Sequence, residues 1–131
     1  MAENVTKSSP LSVDETINGL GAAVEGAGAT VFARVNHAAG AESVGKSIPD
    51  AQLLIFGNPA LGTQAMEQDL RAGLVLPLRV LAYQDVEGNT QMTWATAETL
   101  FEGLDIPADA DVVKKVNGAL NMLTDKAMSA N

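Results

Sequence analysis

Apolar and polar residues alternate along this chain with two periods, and the switches between them mark out short elements. Val13, Ile17, Leu20, Val24 and Ala27 recur at helical intervals, which predicts a helix over residues 13–27 packing one face on a sheet. Ahead of it, Ser12-Val13-Asp14-Glu15 has capping-box spacing, a serine with a glutamate three residues on. Gly19, Gly21 and Gly26 oppose that helix by about 1 kcal/mol each relative to alanine, so tertiary packing has to hold it. Gly28 is placed to stop it. Residues 30–36, TVFARVN, alternate Val31, Ala33 and Val35 against Phe32 and Arg34, as a strand with one buried face does.

The alanine-rich stretch 38–47 predicts a short helix, and Pro49-Asp50 a turn. Gln52 to Phe56 is apolar enough to predict a central strand, with a helix over about 62–72 after it. Leu78 to Asp85 and Thr90 to Thr96 bracket Val86-Glu87-Gly88-Asn89, which reads as an antiparallel hairpin. Residues 97–103 predict a turn or two of helix. Pro107 stands where proline commonly opens a helix. That last helix carries an apolar stripe of Val112, Val113, Val116, Leu120, Leu123 and Ala127. Asp109 and Asp111 lie near its positive end and Lys126 near its negative end. With a short edge strand over 2–8, the order is β-α-β-α-β-α-β-β-α. It predicts an α/β, α+β-like domain in two layers, one mixed sheet of about five strands with helices packed on it. No linker or repeat interrupts it, so residues 1–131 read as a single domain.

Composition narrows the function classes. Sixteen acidic residues against eight basic ones give a formal charge of -8, and the largest basic cluster is Lys114-Lys115. That balance repels nucleic acid and anionic lipid, both of which need clustered Lys and Arg, so neither is an expected partner. The absence of cysteine excludes disulfides and thiolate metal sites, and one histidine cannot build a tetrahedral zinc site. No metal is expected. The first residues, MAENVTKSSP, lack the basic start and apolar stretch of a secretory leader. The apolar run Leu74 to Tyr83 is broken by Pro77 and Arg79 and is too short to span a bilayer. A cytoplasmic protein is expected.

Four blocks carry a family resemblance. Val35-Asn36-His37-Ala38-Ala39-Gly40-Ala41, Ile55-Phe56-Gly57-Asn58-Pro59, Gly62-Thr63 with Met66, and Leu76-Pro77-Leu78-Arg79-Val80-Leu81 together resemble the domain of unknown function 302 family. The similarity covers roughly residues 5–96 and leaves a C-terminal helical extension, about 97–131, outside it. It implies a compact two-layer α/β domain and a homodimer, and it assigns no activity. The family usually has an aspartate before the histidine where this chain has Asn36, which weakens any carboxylate–imidazole pair there.

Candidate chemistry gathers around two loops. Gly57 and Gly62 have the glycine spacing of a phosphate-binding loop between a strand and a helix, yet Thr63-Gln64 replaces its lysine, and Pro59 removes an N–H. A nucleotide triphosphatase is therefore not expected. What remains is a weaker anion or polar-ligand site at a helix N-terminus, with Thr63 donating a hydroxyl. The plain structural alternative is a tight Asn58-Pro59 turn and a helix cap at Thr63. His37 ends a predicted strand, where it can serve as a general base or donate to an anion, or simply bond backbone. Arg79, Tyr83 and Asp85 alternate on one strand. Arg79 can meet an anionic ligand if that face lines a cleft, and is ordinary surface or interface if not.

The sequence thus favours a module binding a small polar or anionic ligand through His37, Asn36, Gly57, Asn58, Gly62, Thr63 and Arg79. An enzyme using His37 as base with the turn amides as oxyanion hole is one alternative. A scaffold or assembly domain without ligand is the other. No cofactor fingerprint is recognised, and no cofactor is assigned. The pocket requires the strand ends at Asn36 and Phe56 to open onto a common hollow.

Overall fold

The capping box at Ser12 forms as its spacing predicts. In the computed structural model, which describes residues 4–129, the Glu15 N–H donates to Ser12 Oγ at 3.0 Å and the Ser12 N–H to Glu15 Oε1 at 3.1 Å. Helix α1 (Val13–Gly26) follows, and Gly28 beyond it takes a φ of 82°, the left-handed conformation that favours glycine. Strand β1 (Asn4–Ser9) precedes this helix, and residues 2 and 3 of the expected strand lie outside the described residues. The chain continues through β2 (Thr30–Asn36), α2 (His37–Ser43), β3 (Ala51–Gly57), α3 (Pro59–Gln68) and α4 (Ala72–Val75). It closes with β4 (Leu78–Gln84), β5 (Thr90–Ala95), α5 (Ala97–Leu100) and α6 (Asp111–Ser129).

One five-stranded sheet, in the order β1-β5-β4-β3-β2, carries the helices, giving the two-layer α/β architecture. All four neighbouring pairs are antiparallel, so the sheet is not mixed in direction. The physical reason lies in α1, which takes the chain from one edge strand to the other. Strands β1 and β2 run parallel but never pair, because β5, β4 and β3 fill the space between them. β3 is flanked on both sides, and β4 is the central strand.

Helices α1 and α6 cover one sheet face. Leu54, Phe56, Val80, Ala82, Met92 and Trp94 point into this layer and are buried there with Ile17, Leu20 and Val24. Every member of the α6 stripe, Val112, Val113, Val116, Leu120, Leu123 and Ala127, is buried. Met92 and Trp94 are thus core. Edge strand β1 is fastened to α6 by Lys7, whose Nζ donates to Asp125 Oδ1 at 2.7 Å and Thr124 Oγ1 at 2.9 Å.

Three local expectations change. β2 does not keep one buried face, because the register shifts between Val31 and Ala33. Val31 faces the helices opposite Phe56, while Ala33, opposite Ile55, turns to the uncovered face, a consequence of the bulge. The helix expected over 62–72 divides in two. Pro59 opens α3 behind an Asn58 cap, and Asp69 ends it by taking the Arg71 N–H at 2.9 Å and its guanidinium at 2.8 Å. Pro107 does not open the last helix. It sits in the turn before, where the Ala110 N–H donates to its carbonyl at 3.0 Å, and α6 starts at Asp111.

Candidate ligand site

Sheet register decides which predicted site residues meet. In the β2–β3 pair Asn36 lies opposite Gln52, whereas Gly57 lies opposite Thr30. Five residues of strand at roughly 3.3 Å each put the Asn36 and Gly57 ends about 17 Å apart, on opposite ends of the sheet. The common hollow required by the sequence reading does not exist.

At the Asn36 end, the Asn36 side chain accepts the Ala39 N–H at 3.0 Å and caps α2. An aspartate at this position would serve the same role, since Asn and Asp cap almost equally well. His37 is the first residue of α2, exposed, on a helix with no buried residue. The space between β2 and α1 beside it is filled by a polar cluster. Arg34 Nε donates to Gln52 Oε1 at 2.8 Å, and its Nη atoms donate to Asn18 Oδ1 at 2.6 Å and Asp14 Oδ1 at 2.9 Å. A polar cleft of about 400 Å³ at this end is lined by Ser9, Ser12, Asp50, Gln84 and Asn89, not by His37. Its Ser9 and Ser12 side chains are already bonded to Thr16 and Glu15.

The Gly57 end is different. A cavity of about 240 Å³ opens between the end of β3, helix α3 and the α4–β4 connection, where Leu76–Pro77 is a cis peptide. Its walls are Phe32, Leu61, Met66, Leu76, Pro77 and Val116, with Gly57, Gly62 and Gly73 between them. The glycines keep the space open. A Cβ at Gly73 would meet Met66 Sδ at 3.3 Å, and one at Gly57 would meet Pro77 Cβ at 3.4 Å and Phe32 Cε2 at 3.5 Å. The wall of α3 and α4 is pinned from outside by Asp69, whose Oδ2 accepts the Asp105 N–H at 2.9 Å. Hydrogen bonding from the Arg71 side chain, with the Asp105 N–H, holds the Asp69 carboxyl well below the usual carboxylate range.

The turn offers no amide cradle to an anion. Pro59 has no N–H, the Ala60 N–H is spent on Asn58 Oδ1 at 3.0 Å, and those of Leu61 and Gly62 on the Asn58 carbonyl at 3.0 and 2.9 Å. No charged side chain lines the cavity. The first-turn amides of α3 are therefore already bonded, and the turn presents neither an anion cradle nor an oxyanion hole. Of the predicted residues, Gly57, Asn58 and Gly62 come together here. Thr63 is exposed inside α3 and outside the lining, because the cap is Asn58. Arg79 lies opposite Ile55 on the uncovered sheet face, also outside the lining. Sequence reasoning missed Phe32, Gly73 and Pro77. Gly73 falls just past the helix expected over about 62–72, where a glycine reads as a plain helix stop, so its place beside Met66 was not legible.

The comparisons with known proteins agree with this fold. The model of the family described as "Domain of unknown function DUF302" matches residues 5–127, so the chain belongs to that family, and the match runs through nearly all of α6. A protein of that family from Bacillus stearothermophilus, described as uncharacterized, has the same fold. Its TM-score is 0.85 at 19% identity, covering 95% of this chain and 97% of that one. Curated relatives include "Fluoride-specific ion channel FluC 1" of Brucella suis, 39% identical over 111 residues. The protein of the same name from Brucella abortus is also 39% identical. The alignments take in 85% of this chain but only 44% and 41% of those relatives, so it spans less than half their length. Among the described residues, no helix is long and apolar enough to cross a membrane.

Proposed function

We propose that this DUF302 domain is a small-molecule-binding module whose ligand occupies the cavity beside Gly57. One observation carries the reading: three glycines hold open an apolar hollow at the end of a rigid sheet, where loop-borne ligand sites are usual. The enzyme alternative has less support, because its base and its oxyanion hole lie at opposite ends of the sheet. The Brucella relatives suggest a setting. In them a stretch like this one belongs to a protein named as a fluoride channel, and we read the domain as a ligand-responsive attachment to membrane transport. Fluoride itself is a poor fit to the cavity, which presents no cation and no free first-turn amide.

The same reading includes a homodimer in the cytoplasm. Ala33, Val35, Leu53, Ile55, Leu81 and Tyr83 share the uncovered sheet face. Among the described residues no strand contains Asp or Glu, although the chain carries sixteen acids. In so acidic a protein, that face is where two copies repel each other least. The ligand reading is tested by amide chemical-shift mapping of isotope-labelled protein against a fragment mixture. Saturable shifts are expected at Gly57, Gly62, Met66 and Gly73, and shifts gathered at His37 instead would refute it.

A further inference from the structure

We infer that the ligand is neutral and compact, a single ring or branched chain with one hydrogen-bond acceptor at its outer end. This rests on the cavity being the binding site. Size sets the first limit. A dry protein cavity of about 150 Å³ accommodates benzene, so 240 Å³ takes a body of about ten non-hydrogen atoms. Charge sets the second. An ion entering here would leave water for Phe32, Leu61, Met66, Leu76, Pro77 and Val116 with nothing to pair with. Met66 and Phe32 suit a flat ring. The thioether lies against the open side of Gly73, Phe32 stands over Gly57, and both side chains pack well on aromatic faces.

Asn58 supplies the polar contact. It is the only polar side chain in the lining. Asn58 is exposed at the edge of the lining, its Oδ1 accepts the Ala60 N–H, and its Nδ2 has no hydrogen-bond partner among the described residues. An amide held by one end and free at the other donates in a set direction. It therefore selects a carbonyl or ether oxygen on the exposed end of the ligand.

Three probes separate the possibilities when titrated into the labelled chain: acetophenone, ethylbenzene and benzoate. Acetophenone is expected to shift the Gly57, Gly62, Met66 and Gly73 amides saturably. Ethylbenzene, without the acceptor, should bind about fivefold more weakly, and benzoate at least tenfold more weakly. Asn58→Asp keeps the capping oxygen and removes the donor, so the preference for acetophenone over ethylbenzene should vanish. Gly73→Val fills the cavity and should abolish all three. Benzoate binding as tightly as acetophenone, or a preference that survives Asn58→Asp, would overturn the ligand class while leaving the site in place. Silence of all three probes at those amides would overturn the site itself.

Discussion

The carbonyl of Ala127 in α6 lies where a side chain at Gly19 in α1 would stand. A Cβ built on Gly19 falls on that oxygen closer than real contacts allow, whereas Gly21 has nothing within 4 Å. The two glycines oppose the same helix by propensity, yet one is the point of closest approach between the helices and the other is open surface. Gly19→Ala should therefore destabilise by about 1–3 kcal/mol despite better helix propensity. Gly21→Ala should stabilise by about 0.5–1 kcal/mol. Urea unfolding of both variants reads the opposite signs, and a stable Gly19→Ala variant would refute the packing argument.

Asp69 makes acid stability a property of the cavity wall. Its carboxyl pKa is depressed in the folded state, chiefly by hydrogen bonding from the Arg71 side chain. The unfolded state then binds more protons below about pH 4, near the ordinary aspartate value. The contribution is complete above that range and is lost as pH falls toward the folded value. Asp69→Asn should lower stability at pH 7, and the gap from wild type should shrink steadily between about pH 5 and pH 2. Thermal unfolding across that range measures it, and a gap independent of pH would count against the linkage.

At the opposite end, Asn36 is expected to act as a cap and nothing more. Asn36→Asp should leave stability nearly unchanged, while Asn36→Ala should cost α2 about 0.5–2 kcal/mol. Amide hydrogen exchange at Ala39, whose N–H the cap receives, reports the difference locally.

His37 should be silent in ligand binding. His37→Ala is expected to leave acetophenone affinity within about twofold of wild type, since the two sites are about 17 Å apart along β3. A loss of tenfold or more would restore the histidine to the site.

The dimer proposal is checked at Ile55. Its register partner is Arg79, so Ile55→Lys sets a second cation beside an existing one on the uncovered face. Sedimentation equilibrium should show the variant dissociating at concentrations at least tenfold higher than wild type, with its fold retained by circular dichroism.

Element type was legible because each element states its own period. The α6 stripe, the Ser12 cap and the hairpin around Gly88, where φ is 88°, needed no distant information. Pairing was not legible. Nothing local in TVFARVN says that its partner runs the other way, or that a bulge between Val31 and Ala33 sends neighbours to opposite faces. The site was lost for the same reason. His37 and Gly57 are both at strand ends, and only long-range order tells one end of a sheet from the other. Asn58 against Thr63 is a smaller lesson, since proline at the following position marks Asn58 as the cap.

Antiparallel order sorts the connections into two groups by turns. The α1–β2, β3–α3, α4–β4 and β5–α5 joints lie at the cavity's end of the sheet, while the β4–β5 hairpin and the β1–α1 corner sit at the far rim. Residues 86–89 are consequently the natural seat for a fluorophore. A reporter tethered there leaves the cavity lining untouched, and can signal its occupancy only through the rigid strands between.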